Sequence, residues 1–341
     1  MNRGLRLAER MHDIAPFHVM EILARAHALE AQGRSVVHME VGEPDFVTAA
    51  PIVEAGRKAL AMGATRYTNA VGIPELRAAL AAFYRARYAT EVDADQIVIT
   101  PGASGALQLA LGVLIDPGER VLMADPGYPC NRHFVRFVNG DALPIAVGAD
   151  SGYQLTADLV ERHWTTDTAA VMVASPSNPT GTLIPRSELE AIAGVVKQRG
   201  GRLIVDEIYQ GLTYEESEQT VLTLDDQAFV VNSFSKYFGM TGWRLGWLVV
   251  PEGYLTEVTK LAQNLFVSPS AVAQYAALAA FEPATLDILE TRRHEFGRRR
   301  NFLLEGLQEL GFRISRRPEG AFYLYADCTT FSQDSQRFAV R

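Results

Sequence analysis

The chain has 341 residues, 48% of them hydrophobic, which suits one large domain with a smaller one beside it. Its 32 basic and 40 acidic side chains leave a net charge of −8 with no lysine-rich tract, so a nucleic-acid or anionic-membrane partner is disfavoured. Cys130 and Cys328 suggest no disulfide framework, the seven histidines show no ligand cluster, and no signal core or bilayer-length apolar run is seen. No metal and a cytoplasmic location are therefore expected.

In chain order, a helix is predicted over 17–32, then a strand over 36–41. From about Gln96, short apolar runs alternate with amphipathic stretches: strands at 96–100, 120–124, 169–174, 202–206, 228–232 and 245–250, helices at 104–115 and 187–199. A long helix over 283–310 precedes a strand over 320–325. Continuous β-rich runs predict an α/β fold, a mostly parallel sheet sandwiched by helices, with active groups where the strands end. The expected division is an arm and part of a small α+β domain over 1–45, a large domain over 46–280, and the rest of the small domain, apparently incomplete, over 281–341. The basic run Arg298-Arg299-Arg300 reads as a solvated helix face.

Only four lysines are present. Lys58, Lys197 and Lys260 fall on helical patterns where a cation meets solvent. Lys236 instead follows an apolar β-rich run and enters a Ser/Gly/aromatic loop, in Ser233-Phe-Ser235-Lys236, with Arg244 eight residues on in Gly-Trp-Arg-Leu-Gly. An amine beside hydroxyls, backbone N–H groups and a guanidinium suits an aldehyde cofactor with a phosphate tail, pyridoxal 5′-phosphate. Asp206 ends a predicted strand and could pair with a pyridinium nitrogen. Tyr209 and Asn178 could hydrogen-bond the ring's phenolic oxygen. Taken singly, each has an ordinary alternative: helix cap, core ring, turn before proline. The small residues of Thr100-Pro-Gly-Ala-Ser104 lie between a strand and a helix start, where N–H groups hold a dianion, with Ser104, Ser233, Ser235 and Arg244 adding donors. That loop lacks the G-x-G-x-x-G and Walker spacings, which makes a nucleotide fold the lesser reading.

Asn178-Pro-Thr-Gly181, Asp206-x-x-Tyr209, Ser233-x-Ser-Lys236 and Gly-Trp-Arg244-Leu-Gly, in this order, resemble the class I/II aminotransferases, the aspartate aminotransferase-like, fold type I pyridoxal-phosphate enzymes. The similarity runs from about Val41-Gly-Glu-Pro-Asp45 to Gly320-Ala-Phe-Tyr323. It implies that Lys236 forms the Schiff base and moves the proton between substrate and cofactor. It further implies that Tyr128 stacks on the ring, that Ala103 and Ser104 belong to the phosphate loop, and that Gly42 lies against the substrate carboxylate, with Asn178 also facing substrate. Tyr67 matches a tyrosine lent to the neighbouring subunit's phosphate, which implies a homodimer with its active site at the interface. The substrates implied are an amino acid and a 2-oxo acid.

The family also carries an arginine near its carboxyl end that grips the substrate carboxylate. Neither Arg337 nor Arg341 stands in that context, and neither is given the role. The sequence is then either a truncated representation or a protein that ends at Arg341 and binds cofactor without efficient transamination. Two other activities fit the same residues: a β-eliminating carbon–sulfur lyase, which shares Lys236, Asp206 and Tyr209, and a cofactor-binding regulatory module, for which no helix-turn-helix or basic patch precedes residue 40. Ile14 and Phe17, ahead of the first long helix, favour a neutral or hydrophobic amino acid if they line the pocket, and otherwise serve as core contacts.

Overall fold

The computed structural model describes residues 6–215 and 219–340. Seven strands form one sheet: β1 (Ile97–Thr100), β2 (Arg120–Asp125), β3 (Asp141–Ala146), β4 (Thr168–Ala174), β5 (Arg202–Asp206), β6 (Phe229–Ser233) and β7 (Gly246–Val249). Their order is β1-β7-β6-β5-β4-β2-β3. β7 runs antiparallel to β1 and β6, and the remaining pairs are parallel.

The unbroken apolar runs reflect a sheet covered on both faces. Val171, Val173, Leu203, Val205, Val230 and Trp247 belong to one core, while the alternate residues Ala170, Met172, Ile204, Phe229, Val231 and Leu248 belong to the other. An arm helix, α1 (His18–Glu30), comes first. The first core is covered by residues of α2 (Ala50–Ala61), α3 (Pro74–Tyr88), α6 (Ala157–His163), α7 (Arg186–Gln198) and α9 (Ala271–Leu278). The second core is covered by α4 (Gly102–Leu114), α5 (Cys130–Phe137) and α8 (Leu255–Leu265). The long α10 (Pro283–Glu309) and the short α11 (Ser335–Ala339) follow. Among the described residues no helix is long and apolar enough to cross a membrane.

The α/β reading holds, and three local expectations do not. Segment 36–41 forms no ladder among the described residues; Val37 and Met39 stand in solvent, 81% and 68% exposed, while Val36 and Val41 are half-buried. Among the described residues, segment 320–325 makes a single bridge, Gly320 to Thr213, and Ala321 adopts a φ of 56°, incompatible with a continuing strand. Arg300 is not a solvated cation: it is buried, donates to the Pro318 carbonyl at 2.7 Å and to Glu215 at 2.7 Å, and lies over the Tyr214 ring. β3 escaped the sequence reading because it begins with Asp141 and contains Pro144, residues tolerated on an edge strand.

Candidate active site

The side chains singled out in the sequence arrive from separate strand ends at one edge of the sheet. β5 ends on Asp206, β4 leads through Ser175 to Asn178, β2 leads to Tyr128, and β1 leads into the first turn of α4, where Ala103 and Ser104 sit. Because β7 runs the other way, it starts at this same edge, and Arg244 lies just before it. The loop from β6 is fixed by its aromatic residues. Phe234 packs edge-on against Trp247 at 5.0 Å, and Phe238 lies 5.5 Å from Phe281, which leaves Lys236 on the other side of the loop. The other lysines, Lys58, Lys197 and Lys260, are all exposed on helices.

Lys236 Nζ donates to the Gly42 carbonyl at 2.6 Å and lies 5.8 Å from the ring centres of both Tyr209 and Phe322. Burial pushes this amine down to about 8, against the upward pull of Glu43 and Asp206 and with help from Arg244. Asp206 is 6% exposed and accepts from the Ile208 N–H at 3.0 Å. Its carboxyl is pushed up to about 6 by burial, a shift that the Ile208 hydrogen bond and the Lys236 charge oppose. A buried carboxylate of this kind gains from a cationic partner.

Tyr209 and Asn178 converge on one atom. The Tyr323 hydroxyl shares a 2.6 Å hydrogen bond with the Tyr209 hydroxyl and accepts from Asn178 Nδ2 at 3.3 Å. Burial holds the Tyr209 phenol well above its ordinary range and pushes Tyr323 up to about 12. Tyr128 is likewise raised, chiefly by burial and then by its contact with Cys130, and Phe17 meets it edge-on at 6.2 Å.

The other corner gathers hydroxyl and cationic groups. Ser233 and Ser235 are buried with their hydroxyls 2.8 Å apart. Arg244 adopts a left-handed backbone, φ 53°, and its guanidinium donates to the Thr241 carbonyl at 3.0 Å. It lies so close over Gly102 that a Cβ there would come within 2.7 Å of Arg244 Nη2. Gly102 opens the 13-residue α4, so a positive charge, two hydroxyls and free helix N–H groups share this corner. Tyr67 stands apart, 84% exposed between α2 and α3. Arg337 lies on α11, and Arg341 lies outside the described residues.

Several residues at the site were missed in the sequence. Tyr323 and Phe322 were read as strand residues, although the Gly320-Ala-Phe-Tyr323 run already marked the end of the resemblance. Glu43, which accepts from the Thr241 hydroxyl, sits next to Gly42. Glu207, beside Asp206, is buried, with Oε1 accepting from the Val221 N–H at 2.8 Å and Oε2 unpartnered. The histidines, unclustered in sequence, are partly gathered in space: His27 and His38 meet beside Glu30.

Residues 34–337 match the family model for aminotransferase class I and II. The chain is 39% identical to the valine–pyruvate aminotransferase of Mycobacterium tuberculosis over 96% of its own length and 85% of that protein's. It is 37% identical to the (5-formylfuran-3-yl)methyl phosphate transaminase of Methanocaldococcus jannaschii, over 98% and 87%. The solved structure of aspartate aminotransferase from Thermus thermophilus with maleate superposes with a TM-score of 0.93 at 34% identity, covering 98% of this chain and 88% of that one. These relatives are aminotransferases, which favours transamination over the lyase alternative. A match to the family model over most of the chain, in a fold whose strand ends bring Lys236, Asp206, Tyr209, Asn178 and Arg244 to one edge, means that the chain belongs to the class I and II aminotransferases.

Proposed function

We propose that the chain is a pyridoxal 5′-phosphate-dependent aminotransferase, acting at the Lys236 site on an amino acid and a 2-oxo acid. The observation that carries the cofactor is the convergence of Tyr209 and Asn178 on a phenolic oxygen, that of Tyr323, since the cofactor ring presents an oxygen of the same kind. The corner formed by Ser233, Ser235, Arg244, Ala103 and Ser104 fits the phosphate, and buried Asp206 fits the ring nitrogen.

When bound, pyridoxal phosphate supplies an aldehyde that condenses with amines and a pyridine ring that accepts the electron pair left at the substrate α-carbon. Lys236 is the nucleophilic amine, and its lowered pKa, about 8, keeps a useful neutral fraction near neutral pH. The same Nζ then carries the proton to and from the α-carbon, steered by the Gly42 carbonyl. Asp206, by its negative charge, would hold a proton on the ring nitrogen. Tyr128, against which Phe17 packs edge-on, would cover the cofactor ring and exclude water. Gly42 and Asn178 face the substrate.

Tyr67, a large aromatic left 84% exposed, supports a homodimer in which it reaches the neighbouring subunit's phosphate. The relatives' names include both an apolar and an acidic amino acid, valine and aspartate. Phe17 at the rim of Tyr128 supports a neutral or hydrophobic amino acid here.

The test is the absorption spectrum of the purified protein with pyridoxal phosphate, recorded before and after adding valine, phenylalanine or aspartate, with Lys236→Ala alongside. A cofactor band that disappears in the variant and changes with at least one amino acid is expected. Transamination in the variant should fall at least about 10³-fold, within the range for loss of a positioned proton carrier. The absence of any lysine-dependent band would overturn the cofactor reading.

A further inference from the structure

His27 and Glu30 are one helical turn apart near the end of α1, so their side chains share a face. The chain then turns, with the N–H groups of Gln32, Gly33 and Arg34 bonded back to the last carbonyls of the helix, and returns to bring His38 beside them. His38 Nε2 lies 2.9 Å from Glu30 Oε1, the His27 and His38 rings are 5.7 Å apart, and the ligating atoms of all three residues lie within 4.8 Å of one another. A divalent ion with bonds of about 2.0–2.2 Å needs its ligands roughly 3–3.5 Å apart, a difference that exposed side chains close by rotation.

A second observation points the same way. The other nitrogen of His38, Nδ1, lies 2.6 Å from Glu40 Oε1, and the Glu40 carboxylate is itself held, its Oε2 accepting from the Met39 N–H at 2.8 Å and its side chain only 10% exposed. A carboxylate behind a histidine is the usual support of a metal-bound imidazole, because it fixes Nδ1 as the donor and leaves Nε2 to face the ion.

We propose that His27, Glu30 and His38 bind a divalent transition-metal ion of the Zn²⁺ or Co²⁺ type, with Glu40 as the positioning carboxylate. Two imidazoles and one carboxylate are a mixed nitrogen and oxygen set, which suits these ions better than Mg²⁺ or Ca²⁺. The ion joins the end of α1 to the segment that reaches Gly42 four residues later. The start of α1 follows Phe17, which rests on Tyr128. Metal binding therefore pins an arm that touches the active site at both ends, a structural role separate from the amino-transfer chemistry.

The experiment is calorimetric titration of the cofactor-loaded full chain with ZnCl₂ after chelator treatment, repeated with CoCl₂ to read the visible ligand-field bands. One ion per chain is expected, with binding lost in His27→Ala and in His38→Ala and weakened about 10–100-fold in Glu40→Gln. His163→Ala, on α6, should bind as the parent does. His27 is exposed, so His27→Ala should melt with the parent in chelator, which separates lost ligation from lost folding. The proposal is overturned if the parent shows no saturable binding, if His27→Ala and His38→Ala bind as tightly as the parent, or if His163→Ala is equally impaired.

Discussion

The hydroxyls of Tyr209 and Tyr323 share a 2.6 Å hydrogen bond across 114 positions of sequence, and Asn178 donates to the same Tyr323 oxygen. If that oxygen stands where a cofactor oxygen is recognised, Tyr323→Phe has a state-dependent cost. Without cofactor, the variant leaves the buried Tyr209 hydroxyl short of a partner, and about 1–3 kcal/mol of stability should be lost. With pyridoxal phosphate bound, a new acceptor is available and the loss should shrink. Urea unfolding with and without cofactor measures both. Equal losses in the two states would show that Tyr323 is a structural partner only.

Gly42 passes so close to Tyr323 that a Cβ on it would lie 2.0 Å from the Tyr323 hydroxyl oxygen. Its carbonyl also receives Lys236, so any shift of this backbone moves the amine's partner. Gly42→Ala should lower kcat/KM at least about tenfold, since small misplacements at a reacting centre are costly. In a Tyr323→Phe background the clashing oxygen is gone, and the further effect of Gly42→Ala should be smaller. Strictly additive effects in the double-mutant cycle would contradict a steric coupling between the two sites.

The parts of this site legible in the sequence are those whose local chemistry is unusual. Lys236 stood out because the other lysines lay on amphipathic helices, and Asp206 because it ended an apolar run. Tyr323 could not be found in this way. Its place depends on Ala321 taking a positive φ, so that the following aromatics turn toward Tyr209 instead of continuing a strand. Segment 36–41 failed for a related reason: its β-rich composition suits a ladder, but no described residues offer it a neighbouring strand. Alternation reports the face of a residue, whereas pairing depends on long-range contacts that no local window contains.

The three consecutive arginines of α10 show the same limit and yield a sharp contrast. Arg298 pairs with Glu295 on an exposed face, whereas Arg300 is buried against Pro318, Glu215 and Tyr214. Arg298→Ala should change unfolding free energy by less than about 0.5 kcal/mol, as surface ion pairs do. Arg300→Ala should cost about 3 kcal/mol, from lost hydrogen bonds, lost ring contact and an unpaired carbonyl. Equal midpoints in denaturant for the two variants would show that the buried guanidinium contributes nothing beyond a surface pair.

Glu207 should make the cofactor-free protein sensitive to pH. Burial raises its carboxyl from 4.5 to about 8, so between those values the folded chain holds a proton that the unfolded chain has released. The sign follows: the contribution to stability is complete below about pH 4.5 and declines as pH rises toward 8, by at most 1.36 kcal/mol per unit. Asp206, raised from 3.8 to about 6, acts in the same direction over a lower window. Glu207→Gln keeps an acceptor for the Val221 N–H and removes the titration, while leaving Asp206 in both proteins. The variant should therefore gain on the parent with rising pH, from little difference near pH 4.5 to about 3 kcal/mol near pH 7. Urea unfolding of both cofactor-free proteins across this range tests the claim. A constant difference would mean that Glu207 is already ionised in the fold, and that its unpartnered oxygen is satisfied by a group other than its own proton.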